Sequence, residues 1–151
     1  MLAYHLHEAD RLFRNSHFAL ATHVLAALAL HPEGPMTSAT LAQSVNTNPA
    51  FLRVLLGQLK AAGLIEVTLG KGGGARLRRP AQEIRLADIY RAMEPESTVR
   101  LHQCEPDHRC LVGRNIVPVL EEVIDDVEAA ALARLEETTL QSLTRKIRKR
   151  G

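Results

Sequence analysis

Four side chains within nine residues, His102, Cys104, His108 and Cys110, bring imidazole and thiol groups together as two His-x-Cys pairs. Thiolates and imidazoles are the usual ligands of zinc and iron, and thiols in pairs also serve as redox switches. The spacing is not a standard zinc signature. A Cys beside a His can form a thiol nucleophile, but no orienting third group or oxyanion donor is identifiable, so no enzymatic activity is expected. A second chemical candidate is the loop Gly70-Lys71-Gly72-Gly73-Gly74. A nucleotide phosphate loop needs a Lys followed by Ser or Thr that opens a helix, whereas here Lys71 precedes Gly72 and a strand-like segment. The loop reads as a tight hairpin turn.

Charge along the chain points to a third kind of chemistry. Residues 46–80 contain six basic side chains, Arg53, Lys60, Lys71, Arg76, Arg78 and Arg79, against Glu66 alone, a net of +5. Residues 81–144 carry six basic groups against thirteen acids, a net of −7, and five of the six residues 145–150 are basic. A local excess of positive charge beside an acidic body suits contact with nucleic-acid phosphates, even though the whole chain is only +2.

The elements that must position these groups are mostly helices. The chain has 151 residues, 46% of them hydrophobic, 3% aromatic and none Trp, so burial rests on Leu, Val, Ile and Ala. Ala21, Val24, Leu25 and Leu28 repeat at i, i+3, i+4 and i+7, which predicts a helix over 18–30 stopped by His31-Pro32 and Gly34-Pro35. Thr37 or Ser38 caps a short helix through Leu41, Ala42 and Val45. Asn48-Pro49 then pairs a favoured N-cap with a favoured first helical residue, and Gly63 marks the end of the helix that runs to Ala62. Leu52, Leu55, Leu56 and Leu59 form its buried stripe. Ala50, Val54, Gly57 and Ala61 lie opposite, and Arg53 and Lys60 share one flank. Leu64–Leu69 and Ala75–Arg79 read as two strands around the glycine loop. Helix, turn, helix and hairpin is the order of a winged helix-turn-helix.

Residues 86–93 predict another short helix, and Glu94 to Gly113 reads as a polar linker. A long amphipathic helix is predicted from about Pro118 to Glu137. Leu120, Val123, Ile124, Val127 and Ala131 form an apolar stripe suited to a second copy of the chain. Thr138 or Thr139 caps a last helix over 140–147 that ends in the basic tail. The organisation expected is therefore 15–93 as the winged helix-turn-helix, 94–117 as a linker carrying Cys104 and Cys110, and 118–151 as dimerisation helix and tail. The fold class is mainly α with a small β-hairpin wing.

The run with Leu41-Ala42, Asn48-Pro49, Arg53, Leu56, Leu59, Ala62-Gly63-Leu64 and Gly70-Lys71-Gly72-Gly73-Gly74-Ala75-Arg76-Leu77 resembles the Rrf-two family of bacterial transcription regulators. That family includes the iron–sulfur cluster regulator, the nitric-oxide-sensitive repressor and the cysteine-metabolism repressor. The likeness continues through Arg79-Pro80, Ile84 to Ile89, Cys110 to Gly113 and Thr139-Leu140. The resemblance implies a dimeric winged-helix regulator whose second motif helix enters the major groove while the wing follows the backbone or minor groove. Carried over by position, Asn48, Pro49 and Arg53 lie at the helix entry and Gly72, Gly73 and Gly74 form the wing. Iron–sulfur members carry three cysteines with five residues between each and the next. Cys104 and Cys110 match the first two, but Ile116 stands at the third position, which argues against a cluster, and no cofactor is expected.

The function expected is sequence-specific binding of a palindromic double-stranded operator by a homodimer, in the manner of a bacterial cytoplasmic repressor. Ser38, Thr47, Asn48, Pro49, Ala50, Arg53, Lys60, Lys71, Gly72, Gly73, Gly74 and Arg76 are the candidate DNA contacts. Arg53 suits guanine readout and Lys71 suits the backbone. Two other readings share these residues: a thiol- or metal-responsive sensor using Cys104 and Cys110, and a winged-helix module that binds protein. No stretch has the ~20 apolar residues of a membrane span, so no membrane partner is expected.

Overall fold

In the computed structural model, the described residues are 16–93, 101 and 104–151. Among them, residues 16–93 and 135–151 belong to one compact unit and residues 101 and 104–134 to another.

The first unit opens with α1 (Ser16–Leu30), whose face Ala21, Val24, Leu25 and Leu28 is buried as the 3-4 spacing predicts. α2 (Ser38–Val45) starts at Thr37, whose hydroxyl accepts from the Thr40 amide at 3.2 Å. It stops at Asn46 in the left-handed conformation, φ 55°, which Asn tolerates better than most residues. α3 (Pro49–Ala61) is capped by Asn48, whose Oδ1 accepts from the Ala50 amide at 2.7 Å. Leu52, Leu55, Leu56 and Leu59 turn its apolar stripe into the core.

The wing is an antiparallel pair, β1 (Ile65–Thr68) and β2 (Gly74–Leu77), with Ile65 opposite Leu77 and Thr68 opposite Gly74. Each strand is shorter than its apolar run suggests. Leu69 lies in the turn, and Gly74 lies in β2 rather than in the loop. α4 (Leu86–Ala92) follows, with Asp88 accepting from the Arg85 amide at 3.0 Å.

α6 (Leu140–Arg148), capped by Thr139, also belongs to this unit and packs on α1. The Leu140 amide donates to the Ile84 carbonyl at 2.8 Å and the Leu86 amide to the Thr138 carbonyl at 2.9 Å. Arg91 meets Glu136 at 2.7 Å beside this junction. Leu140 is fully buried with Leu25, Leu41, Leu52, Leu55, Leu59, Ile65, Ile84 and Ile89. The end of the chain is thus part of the core, and truncating Leu140 to Ala would cost about 2–5 kcal/mol.

α5 (Leu111–Glu136), whose residues up to Arg134 belong to the second unit, is 26 residues long and contains Pro118 within it. Pro118, a favoured first helical residue, predicts a start there and a linker that reaches residue 117. The helix in fact begins at Leu111, because Val112, Ile116 and Leu120 continue the same 3-4 spacing toward the N-terminus. Pro118 costs the bond that its missing amide would make to the Arg114 carbonyl, without ending the helix. No residue of α5 is buried.

Candidate nucleic-acid interface

All twelve predicted contact residues fall in the first unit. α3 supplies the central face. Its four leucines fix the orientation, so Ala50, Arg53, Val54, Gly57, Lys60 and Ala61 are all exposed. Asn48 and Pro49, also exposed, stand at its N-terminus, where the helix dipole favours a phosphate although Pro49 has no amide and Asn48 already takes the Ala50 amide. Thr47 is half-buried in the connection, its amide donating to the Ala42 carbonyl at 3.1 Å, and Ser38 is half-buried in the first turn of α2. Both are more closely engaged in the motif than Arg53.

The wing is held to this motif directly. Met36, just before the α2 cap, forms a backbone bridge with Ala75 of β2. The turn exposes Lys71 and Gly72, while Gly73 and Gly74 are half-buried. Arg76 is exposed but stands opposite Glu66 in register, with 3.7 Å between the charged groups. A phosphate would therefore compete with Glu66 for Arg76. By contrast, Arg53, Lys60 and Lys71 have no carboxylate partner among the described residues. With Arg78, which is also exposed, they are the cations of residues 46–80 that no carboxylate among the described residues engages. Two exposed apolar residues add to the surface. Val54 is 61% exposed on α3 and Leu69 is 90% exposed at the wing turn. Leu69 was hidden in the sequence by its place at the end of an apolar run.

The cysteine segment is built differently. Cys104 and Cys110 are both exposed free thiols. His108 approaches Glu105 at 3.2 Å, and His102 lies outside the described residues. Among the described residues no three His, Cys, Asp or Glu side chains form a metal-binding group, and Ile116 offers no ligand atom. The residues described therefore do not fit a cluster held by three thiolates. Cys110 sits immediately before α5, where the amides of Gly113 and then Val112 hold its thiol below its ordinary pKa. Asp107 shapes the approach: its Oδ1 accepts from the Arg109 amide at 2.9 Å, and its carbonyl accepts from the Cys110 amide at 3.1 Å. The Arg109 amide and side chain hold the Asp107 carboxyl below the usual carboxylate range.

A helix-turn-helix followed by a β-hairpin anchored to it, with unpaired cations on the second helix and the wing, defines a winged helix-turn-helix DNA-binding protein. Residues 14–146 match the model of the Rrf2 family, an iron-dependent transcriptional regulator family. The chain belongs to the Rrf2 family of DNA-binding transcriptional regulators. It is 30% identical over 129 residues to YwnA of Bacillus subtilis (strain 168), named as an HTH-type transcriptional regulator, covering 85% of this chain and 95% of that one. The crystal structure of Staphylococcus aureus CymR is similar at 27% identity and a TM-score of 0.65, covering 86% of this chain and 96% of that one. The T. potens IscR structure shares the fold at 22% identity and a TM-score of 0.66, covering 88% and 86% of the two chains. No helix among the described residues is long and apolar enough to cross a membrane.

Proposed function

We propose that the chain is a homodimeric repressor that binds a two-fold symmetric operator, with α3 in the major groove and the wing along the backbone. The observation that carries this reading is the outward face of α3, where Arg53 and Lys60 stand unpaired beside small residues while four leucines lock the helix orientation. The twelve contact residues divide by chemistry. Arg53 specifies a base, Lys60 and Lys71 hold phosphates, and Asn48 and Pro49 set the helix entry. Support for the dimer comes from α5, where Val123 and Val127 are more than half exposed on the apolar stripe with Leu120, Ile124 and Ala131. A helix of that length with no buried residue needs a partner surface, and a second copy supplies it with two-fold symmetry. Half-sites one helical turn apart, about 34–36 Å, follow from that symmetry. Repression is what a dimer covering promoter DNA produces without a further contact.

Binding of purified protein to duplexes selected from a random pool tests the reading. Enrichment of an inverted repeat is expected, with affinity falling by about 0.9 log units per log unit of salt for each phosphate neutralised. Enrichment of no duplex would overturn it, and a protein-interaction module would take its place.

The regulator works without an iron–sulfur cluster in this reading, which Ile116 at the third cysteine position supports. Protein purified without oxygen is expected to be colourless and iron-free; a visible cluster spectrum would refute this. What favours a signal carried by thiol chemistry is placement: Cys104 and Cys110 are both exposed free thiols, and Cys110 directly precedes α5, where the Gly113 and Val112 amides favour its thiolate. Loss of operator affinity on oxidation, prevented by Cys110→Ser, is the expected sign of that response, and unchanged affinity would exclude it.

A further inference from the structure

The outward face of α3 contains two residues that the fold itself does not explain. Val54 is 61% exposed, although the four leucines of the same helix are all buried. Gly57 lies three residues on, in the middle of the helix, and a Cβ placed on it would meet nothing within 4 Å among the described residues. No left-handed backbone, and no close contact among the described residues, requires a glycine there. Gly is among the poorest helix formers and Val is below Leu, Arg or Lys, so both weaken a 13-residue helix without serving the core. Residues at i and i+3 are neighbours on a helix surface. Val54 and Gly57 therefore form an apolar projection beside a gap, on the face flanked by unpaired Arg53 and Lys60.

We propose that Val54 and Gly57 read a thymine in the major groove, Val54 contacting the 5-methyl group and Gly57 letting the helix backbone come close enough for that contact. This rests on the reading of α3 as the DNA-facing helix. The occupant follows from chemistry: of the four bases, thymine alone presents a methyl group in the major groove, and apolar side chains are its complement. Charge fits the same partner, since the two cations beside the notch would hold the helix against phosphates. A residue without a side chain at position 57 removes the one atom that would stand off the base pair.

The test uses the full-length protein and the operator selected by it. Each thymine is replaced singly by deoxyuridine, which removes only the methyl group. At one thymine per half-site the parent protein is expected to bind about fourfold more weakly, the equivalent of one buried methylene. In Val54→Ala that same substitution should have no effect, while sensitivity elsewhere persists. Gly57→Ala should melt at the same or a higher temperature, since Ala is the better helix former, yet bind the operator more weakly. If no deoxyuridine weakens the parent, or if Val54→Ala keeps the same pattern, the thymine contact is overturned while DNA binding stands. Unchanged affinity in Gly57→Ala overturns the close approach. Failure to enrich any operator removes the DNA-binding reading and this contact together.

Discussion

The Met36 amide donates to the Ala75 carbonyl at 2.9 Å, and the Ala75 amide returns the bond to the Met36 carbonyl at 2.8 Å. The exchange ties the second strand of the wing to the residue that precedes the helix-turn-helix cap. It brings the two backbones so close that Gly74, at φ +145°, has the Met36 carbonyl oxygen where its Cβ would be, at 2.5 Å. Lys71 and α3 are therefore presented by one joined scaffold rather than by a loose hairpin.

Gly74→Ala is accordingly expected to destabilise the protein by about 1–3 kcal/mol, through both backbone strain and the clash with Met36. Gly72, at φ +76°, has nothing within 4 Å of a Cβ, so Gly72→Ala carries only the left-handed penalty of about 1–2 kcal/mol. Urea unfolding measures both. Equal losses would mean that the Met36 contact does not fix the wing. Gly74→Ala should also weaken DNA binding in proportion to its effect on the wing, in conditions where the protein remains folded.

The motif was legible in the sequence because its boundaries are chemical. Asn48 before Pro49 and Gly63 after Ala62 leave a helix few other ends, and the leucines of α3 repeat at the helical period. What escaped was less local. Pro118 looks like a helix start because Pro favours that place, yet the stripe already begins at Val112, and one missing hydrogen bond does not stop 26 residues of helix. The basic run 145–150 gives the chain end the look of a solvated tail, yet Leu140 places the last helix in the core of the first unit. Glu66 opposite Arg76 could have been found only by knowing the strand register. His108 and Cys110 are neighbours in sequence, but backbone geometry gives His108 to Glu105 and Cys110 to the amides of α5.

Arg53 and Lys71 should fail in different ways when truncated. Arg53→Ala is expected to cost about 1–3 kcal/mol on the operator and to relax the preference at one base pair in each half-site. Lys71→Ala should weaken all duplexes alike and lower the salt slope by about one phosphate per protomer. Binding isotherms on operator and scrambled duplex at several salt concentrations separate the two. A base-selective loss in Lys71→Ala, or a uniform one in Arg53→Ala, would reverse their assigned roles.

The proposed dimer surface on α5 can be altered without entering the DNA-binding unit. Val123 and Val127 are 55% and 52% exposed, so Val123→Glu with Val127→Glu adds like charge to the apolar stripe while leaving the core of the first unit alone. Sedimentation equilibrium is expected to give a monomer, with the melting of the first unit retained. Operator affinity should fall by about 10²–10⁴-fold, because the second half-site is no longer held at high effective concentration. A variant that remains a dimer would show that another face joins the protomers.

Cys110 offers a prediction with a defined pH sign. Its thiol pKa is lowered in the folded protein by the Gly113 and Val112 amides, so the thiolate persists to lower pH than in the unfolded chain. In Cys104→Ser, which leaves Cys110 as the single thiol, the pH midpoint for alkylation by iodoacetamide should therefore lie lower in the native protein than in urea. Gly113 also explains how those amides are held in place, because a Cβ there would collide with the Asp107 carbonyl oxygen, the acceptor for the Cys110 amide. Gly113→Ala must displace that turn from the first turn of α5, and the native midpoint should move back up toward the unfolded one. Coincident native and unfolded curves in Cys104→Ser would show that the helix start does not stabilise the thiolate, and a midpoint unmoved by Gly113→Ala would show that the Asp107 turn does not position it.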